Sequence, residues 1–182
     1  VLDEVSRWRV DGRPAVVARV VPVADPEPGR LGPSLFVGAD GDPAGRLGTT
    51  ADRSPVVAAA RAMLAGAEAV GRCVDHEGAT VLLAPVDWSV HGAVADALAA
   101  PDAMALVTVV DGASLGATMA VGRHGRVAGD LGRPSLTAVV ARDALADLAS
   151  RHSGVRRYGP SAERGGRQVA VFVESFNRPA PT

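Results

Sequence analysis

The sequence predicts an α/β fold made of two tandem copies of one folding unit, and three observations support this prediction. Residues 31–48 (LGPSLFVGADGDPAGRLG) and 115–132 (LGATMAVGRHGRVAGDLG) are identical at nine of eighteen aligned positions, five of them glycines. Upstream, residues 1–21 and 90–110 share a hydrophobic pattern without a gap. Downstream, each copy continues with a helical pattern and then an apolar strand.

Each copy opens with about ten residues of helical periodicity, carried in the first copy by Val1, Val5 and Trp8. A short turn follows, and then a run rich in β-branched residues that predicts a buried strand. We therefore assign the two copies to residues 1–87 and 88–182.

The repeated stretch itself predicts a hairpin of two strands. The dipeptides DG at 40–41 and HG at 124–125 mark the tips, since Asp–Gly accepts positive φ and favours tight turns. Val37 and Val121 then point into the core, and the flanking glycines permit bends or a close backbone approach.

A second helix and a closing strand complete each copy. In the first copy we expect Ser54 to be the N-cap, Pro55 to be the first helical residue and Gly66 to end the helix. Residues 80–86 and 169–176 are the closing strands. The order helix, strand, hairpin, helix, strand predicts mixed sheets related by a pseudo-twofold axis, and not a Rossmann sheet, because no strand precedes a GxGxxG turn.

Composition limits the classes of partner. The chain has 182 residues, 47% apolar content and a net charge of −1, so nothing points to nucleic acid or an anionic membrane surface. No apolar run reaches the ~18 residues needed to span a bilayer, and the charged start does not resemble a signal peptide. The single cysteine, Cys73, suits a reducing cytoplasm. All basic residues are arginines, which is typical of a high-GC bacterial genome.

Two interpretations of the repeated glycines remain open. In one, the glycines serve hairpin geometry; in the other, they cradle a phosphate, although their spacing matches neither the dinucleotide fingerprint nor the P-loop. Gly48 and Gly132 each precede a predicted helix start, where free backbone N–H groups can hold an anion.

Cys73 and His76 form a Cys-x-x-His pair, which offers two ligands where a zinc site needs three or four. We therefore favour a turn before the last strand over a metal site. A reactive thiol is a further reading, since the neighbouring Arg72 favours the thiolate. No GxSxG nucleophile elbow occurs, and we predict no catalytic residue.

A basic cluster follows the second long helix. It either binds an anion or an acidic partner, or it complements the helix dipole and continues as a solvated loop. Trp8 and Trp88, near the opening helix of each copy, are expected to pack on the sheets or against a partner. The cluster consists of Arg151, His152, Arg156, Arg157, Arg164 and Arg167.

In their order, these motifs resemble the XdhC/CoxI family of accessory proteins, which mature molybdenum hydroxylases such as xanthine dehydrogenase and carbon monoxide dehydrogenase. The resemblance rests on the helical opening, the hairpin "DG…GRLG", the helix "VVAAARAMLAG", and "YGP" followed by "VFVESF". It covers nearly the whole chain, twice.

The chain also departs from the family pattern. The family's first module carries a Gly-Ser-x-Pro-Arg loop and a Ser-Gly-Gly-Cys-x-Glu turn, whereas the corresponding turns here read GTTADRS and GRPSLTA. The family's C-terminal Rossmann domain does not follow FNRPAPT in this sequence. Both copies therefore resemble the family's plainer second module. The candidate cofactor contacts are Arg30, Gly48, Thr49, Thr50, Gly132 and Arg133.

The resemblance implies a cytoplasmic, non-catalytic protein that acts in maturation or in molybdenum-cofactor loading. Its implied partners are the hydroxylase, a cysteine desulfurase or another maturation protein, and a second copy in a homodimer. The molybdenum cofactor itself is implied by the resemblance alone. Two alternatives stay open: a protein that binds an anionic cofactor or nucleotide, and a purely structural dimerisation module.

Overall fold

A computed structural model of the chain describes residues 2–21, 32–47, 52–100, 102–159 and 168–176. The chain divides between Trp88 and Ser89 into two units.

The first unit has two helices and five strands. In chain order these are α1 (Leu2–Val10), β1 (Ala15–Val20), β2 (Ser34–Gly38), β3 (Ala44–Gly45), α2 (Ser54–Ala65), β4 (Arg72–His76) and β5 (Ala79–Pro85).

The second unit repeats this order of elements. They are α3 (Trp88–Ala99), β6 (Met104–Asp111), β7 (Thr118–Gly122), β8 (Gly125–Gly129), α4 (Pro134–Ser150), β9 (Gly154–Tyr158) and β10 (Val169–Phe176).

The two sheets have the same topology. The first has the strand order β3-β2-β1-β5-β4, and the second has the order β8-β7-β6-β10-β9. The predicted α/β class with two tandem copies is thus confirmed. In contrast to the expected mixed sheets, the described strands pair antiparallel throughout both sheets. The predicted dyad concerns the placement of the units and stays a prediction.

Each unit contains one strand that the sequence analysis did not predict. The segment interpreted as a turn around Cys73 is β4, and the segment interpreted as a solvated loop after α4 contains β9. His152 lies in the connection between α4 and β9. Both missed strands are the outermost strands of their sheets, and charged residues interrupt the apolar alternation that identifies a strand.

Helices lie on both faces of each sheet. In the first unit the buried residues of α2 pack on one face of β1, where Val16 and Ala18 point, and Trp8 of α1 packs near Ala15 on the other. Because successive side chains of a strand alternate, both faces of β1 are apolar. In the second unit α4 and α3 take the corresponding places.

The hairpin prediction for the repeated stretch is confirmed. Val37 and Val121 are fully buried, as expected. Gly45 and Gly129 have φ of +100° and +74°, and a Cβ atom there would collide with the backbone carbonyl oxygens of Ser34 and Thr118. One of the five shared glycine positions, Gly45 in the first copy and Gly129 in the second, is therefore explained by close strand approach at positive φ.

Candidate functional site

The start of α4 is where the sequence placed a candidate anion contact at Gly132 and Arg133. Arg133 is the N-cap residue, with an extended backbone and no capping hydrogen bond from its side chain. Its neighbours are already paired within the chain. The Gly132 N–H donates to Asp130 Oδ1 at 2.7 Å, and the Leu131 N–H donates to Thr137 Oγ1 at 3.1 Å.

The start of α2 also carries a carboxylate. Asp52 Oδ1 accepts hydrogen bonds from the Ser54 hydroxyl at 2.7 Å and from the Ser54 N–H at 2.9 Å. These two bonds hold the pKa of Asp52 below its usual range. The expected N-cap was wrong: the N-cap residue is Arg53, and Ser54 donates to Asp52.

Four of the candidate cofactor contacts lie outside the described residues, so their predicted role stays a prediction. They are Arg30, Gly48, Thr49 and Thr50.

A groove of about 520 Å³ opens beside the start of α4. Its charged groups are the guanidinium of Arg126, which donates to the Gly129 carbonyl at 2.7 Å, and the carboxylate of Asp130. The floor is formed by small and apolar groups of α4. The lining residues are Arg126, Asp130, Gly132, Pro134, Thr137, Ala138 and Ala141.

The described residues of this groove do not fit the molybdenum cofactor that the family resemblance implies. That cofactor carries a phosphate, which needs free N–H donors or unpaired cations. Here the N–H groups of Leu131 and Gly132 are bonded to Thr137 and Asp130, and the Arg126 guanidinium already donates to the Gly129 carbonyl. The Asp130 carboxylate would also repel the phosphate.

A smaller cavity of about 320 Å³ lies in the first unit, between the hairpin and the connection after α1. Its wall includes Trp8, Arg13 and Asp40. Trp8 is 7% exposed and belongs to the core, and the half-buried Trp88 donates from Nε1 to the Arg13 carbonyl at 2.8 Å. Both tryptophans thus pack in one cluster of the first unit, which confirms packing on the sheet.

Cys73 and His76 do not form a joint site. They lie three residues apart on β4, so their side chains point to opposite faces of the sheet. Cys73 is exposed, whereas His76 is buried and its Nε2 has no hydrogen-bond partner among the residues that the structure describes. Arg72 donates to the Ala59 carbonyl on the helix side of the sheet. Among the described residues, no cluster of three or more His, Cys, Asp or Glu could hold a metal ion.

The basic cluster after α4 separates into different roles. Arg156 Nε donates to Oδ2 of the buried Asp147 at 2.6 Å, Nη2 contacts Oδ1, and these bonds raise the pKa of Arg156. The Tyr158 hydroxyl donates to Asp143 Oδ2 at 3.1 Å. Burial, then the charge of Asp143, raises the pKa of this tyrosine.

These contacts fasten β9 to α4, and they give one cluster member, Arg156, a structural partner. The sequence did not predict this polar network, although Asp143 and Asp147 are spaced to share one helix face. The other described cluster members, Arg151, His152 and Arg157, are exposed. Arg164 and Arg167 lie outside the described residues.

Comparisons with known proteins agree with the sequence resemblance. The sequence model of the XdhC and CoxI family matches residues 8–75 and 97–159. A xanthine dehydrogenase from Bacillus halodurans is similar in structure with a TM-score of 0.53 at 15% identity, over 96% of this chain and 48% of that one. The chain spans about half the length of that protein, and the likeness shows the fold alone. No curated protein matches the chain.

No helix among the described residues is both long and apolar enough to cross a membrane.

Proposed function

The chain belongs to the XdhC and CoxI family, and from this membership we propose that it is an accessory protein in the maturation of a molybdenum hydroxylase. The hydroxylase is of the xanthine dehydrogenase or carbon monoxide dehydrogenase type. The observation that carries the proposal is the match of the family model to both units, each with the same sheet topology.

We propose that the protein acts through protein–protein contacts in the cytoplasm and catalyses no reaction itself. The contacts are with the hydroxylase, a cysteine desulfurase or another maturation protein. The helix starts support contacts with proteins over direct cofactor handling, because Asp52 and Asp130 place a carboxylate where a cofactor phosphate would bind.

The experiment is co-production with a xanthine dehydrogenase in a bacterial host that lacks its own accessory protein. We expect the hydroxylase to gain specific activity and molybdenum content, and the chain to copurify with it or with the desulfurase. Equal activity with and without the chain, and no copurification, would overturn the proposal. Gly45→Ala and Gly41→Ala form a matched pair: the first disrupts the hairpin and should abolish the gain, whereas the second should retain it.

The second candidate is a protein that binds a small anionic molecule. The observation that favours it is the Arg126 guanidinium in the groove beside α4, and the Asp130 carboxylate in the same lining counts against it. Titration with molybdenum cofactor or a nucleotide separates the candidates. A bound ligand at a hundredfold excess over its Kd stabilises the fold by about 2.7 kcal/mol. Loss of that shift in Arg126→Ala, but not in Arg123→Ala, would place the ligand in the groove; no shift favours the accessory role.

The third candidate is a purely structural dimerisation module. It predicts that hydroxylase maturation tolerates exposed substitutions that leave folding intact. Loss of maturation in Asp52→Ala or Arg133→Ala, with an unchanged melting temperature, would exclude it.

A further inference from the structure

The outer strands of the two sheets carry opposite charges. β4 ends the first sheet and β9 ends the second, and neither pairs with another described strand on its outer side. An outer strand with an unpaired side is a ready surface for another strand. The charge on each outer strand determines which strand can pair with it.

On β4 the charged groups without an ion pair among the described residues are acidic, because Arg72 points to the helix side and pairs with Glu68 at 3.6 Å. Asp75 lies on the sheet face opposite α2, and Glu77 follows directly after the strand. Neither forms an ion pair with the residues that the structure describes, so both carboxylates are available to a partner.

On β9 the exposed charges are basic. Arg157 lies on the face opposite α4, and Arg151 and His152 come just before the strand. Arg156 is not part of this surface, because it points to the helix side and pairs with Asp147. Arg157 and Arg151 form no ion pair among the described residues.

We infer that β4 of one copy of this chain pairs antiparallel with β9 of a second copy. Each copy offers one acidic and one basic outer strand, so a second copy is the partner whose charge matches both. Pairing like strands would instead bring Asp75 towards Asp75, or Arg157 towards Arg157, and like charges on neighbouring strands destabilise.

The pleat of the two strands supports this pairing. With Asp75 opposite Arg157, antiparallel order puts Val74 opposite Tyr158, on the helix side of both sheets. A β-branched residue opposite an aromatic one is a favourable cross-strand pair. The same order puts His76 opposite Arg156 and Glu77 opposite Val155, so Asp75–Arg157 is the charge pair of this register. This register therefore gives a charge pair, Asp75–Arg157, on one face of the joined sheet and a favourable pair, Val74–Tyr158, on the other.

The inference gives a surface to the homodimer that the sequence predicts, and it does not depend on the accessory role. Sedimentation of the full chain over a wide concentration range tests it. We expect self-association that weakens with salt, and a loss of about tenfold or more in the association constant for Asp75→Arg or Arg157→Asp, because each replaces attraction by repulsion. A chain that stays monomeric, or reversals without effect, would overturn the inference.

Mixing the two single variants provides the decisive experiment. Asp75→Arg presents two basic strands and Arg157→Asp presents two acidic ones, so each alone should dissociate and the mixture should form a mixed complex. The double variant Asp75→Arg/Arg157→Asp should self-associate again. If neither the mixture of single variants nor the double variant associates, the pairing of β4 with β9 is contradicted.

Matched controls separate this contact from a general charge effect. Asp102→Arg and Arg123→Asp make the same charge changes at exposed positions before β6 and between β7 and β8, and should leave association unchanged. If a reversal lowers the melting temperature, Asp75→Asn and Arg157→Gln replace it, with a smaller loss expected in the same direction.

Discussion

The two units share one topology, but they differ in the side chains that pack between the second helix and the outer strand. The buried positions of α2 at Val56, Ala60 and Met63 have the same spacing as Val140, Ala144 and Asp147 of α4. The first unit thus has an apolar side chain where the second has a buried carboxylate.

The outer strands differ in the same way. Val74 of β4 pairs with Val81, and the corresponding Arg156 of β9 pairs with Val171. The first unit therefore uses Met63 and Val74 where the second uses the Asp147–Arg156 ion pair. In a copied fold, the apolar pattern and the hairpin glycines persist while polar contacts are exchanged for apolar ones.

The largest expected effect on stability concerns the hairpin glycine that the two units share. Gly45→Ala and Gly129→Ala should each lower the free energy of unfolding by about 4 kcal/mol, measured by urea denaturation. An alanine at positive φ costs about 1–2 kcal/mol, and collision with the Ser34 or Thr118 carbonyl adds about 1–3 kcal/mol.

The matched controls are glycines at positive φ with open space around them. Gly41→Ala and Gly125→Ala meet no atom of the described residues within 4 Å, so we expect only the backbone cost of about 1–2 kcal/mol. Equal losses at all four positions would show that close strand approach does not explain the repeated glycines.

The second effect concerns the buried ion pair. Arg156→Val should lower the free energy of unfolding by about 3 kcal/mol, because it leaves the Asp147 carboxylate buried without its cation. Arg157→Val, at the exposed neighbouring position, should change it by less than about 0.5 kcal/mol. Chemical denaturation at low protein concentration measures both.

A double variant sharpens the comparison between the units. Asp147→Met combined with Arg156→Val gives the second unit the side chains of the first, and it should recover most of the stability that Arg156→Val loses, since well-packed apolar residues often replace a buried ion pair without cost. A double variant less stable than Arg156→Val would show that the units are not equivalent at these positions.

The third effect is local to the second unit. Thr137→Val removes the acceptor of the buried Leu131 N–H, and an unsatisfied buried donor costs about 1–3 kcal/mol. Hydrogen exchange should show a faster Leu131 amide in this variant. Thr137→Ser keeps the hydroxyl and should retain protection; equally fast exchange in both would exclude the bond as the cause.

The smallest effect at neutral pH is expected at Tyr158, the only tyrosine in the chain. Tyr158→Phe removes its bond to Asp143 and should cost about 1 kcal/mol. The pKa of Tyr158 is raised in the folded protein, so the folded state retains its proton where the unfolded chain loses it. Stability should therefore fall as the pH rises above about 10.

Absorbance at alkaline pH tests whether the pKa of Tyr158 is raised in the folded protein, because the tyrosinate signal comes from Tyr158 alone. We expect the signal to appear together with unfolding, and the decline in stability to be shallower in Tyr158→Phe. Ionisation near pH 10 in the folded protein would contradict the raised pKa.

The sequence predicted the parts of the fold that repeat or alternate. The shared glycines located both hairpins, and the apolar runs at 80–86 and 169–176 located the closing strands within one residue. These signals are local, because strand alternation and turn geometry depend on neighbouring residues.

The outer strands and the site contacts were missed because they depend on distant partners. β9 reads GVRRY, and its charges suit a strand only because Arg156 meets Asp147, nine residues earlier on a helix. At the helix starts, sequence spacing pointed to free N–H groups, whereas Asp52 and Asp130 accept nearby hydrogen bonds there. Which donor a short carboxylate takes is set by the folded turn.

Cys73 offers a practical consequence of the missed strand β4. It is the sole thiol of the chain and is exposed on that strand. A maleimide fluorophore therefore labels the unmodified chain at this single site. Its emission and anisotropy would report, in real time, whatever molecule comes to cover the rim of the first unit.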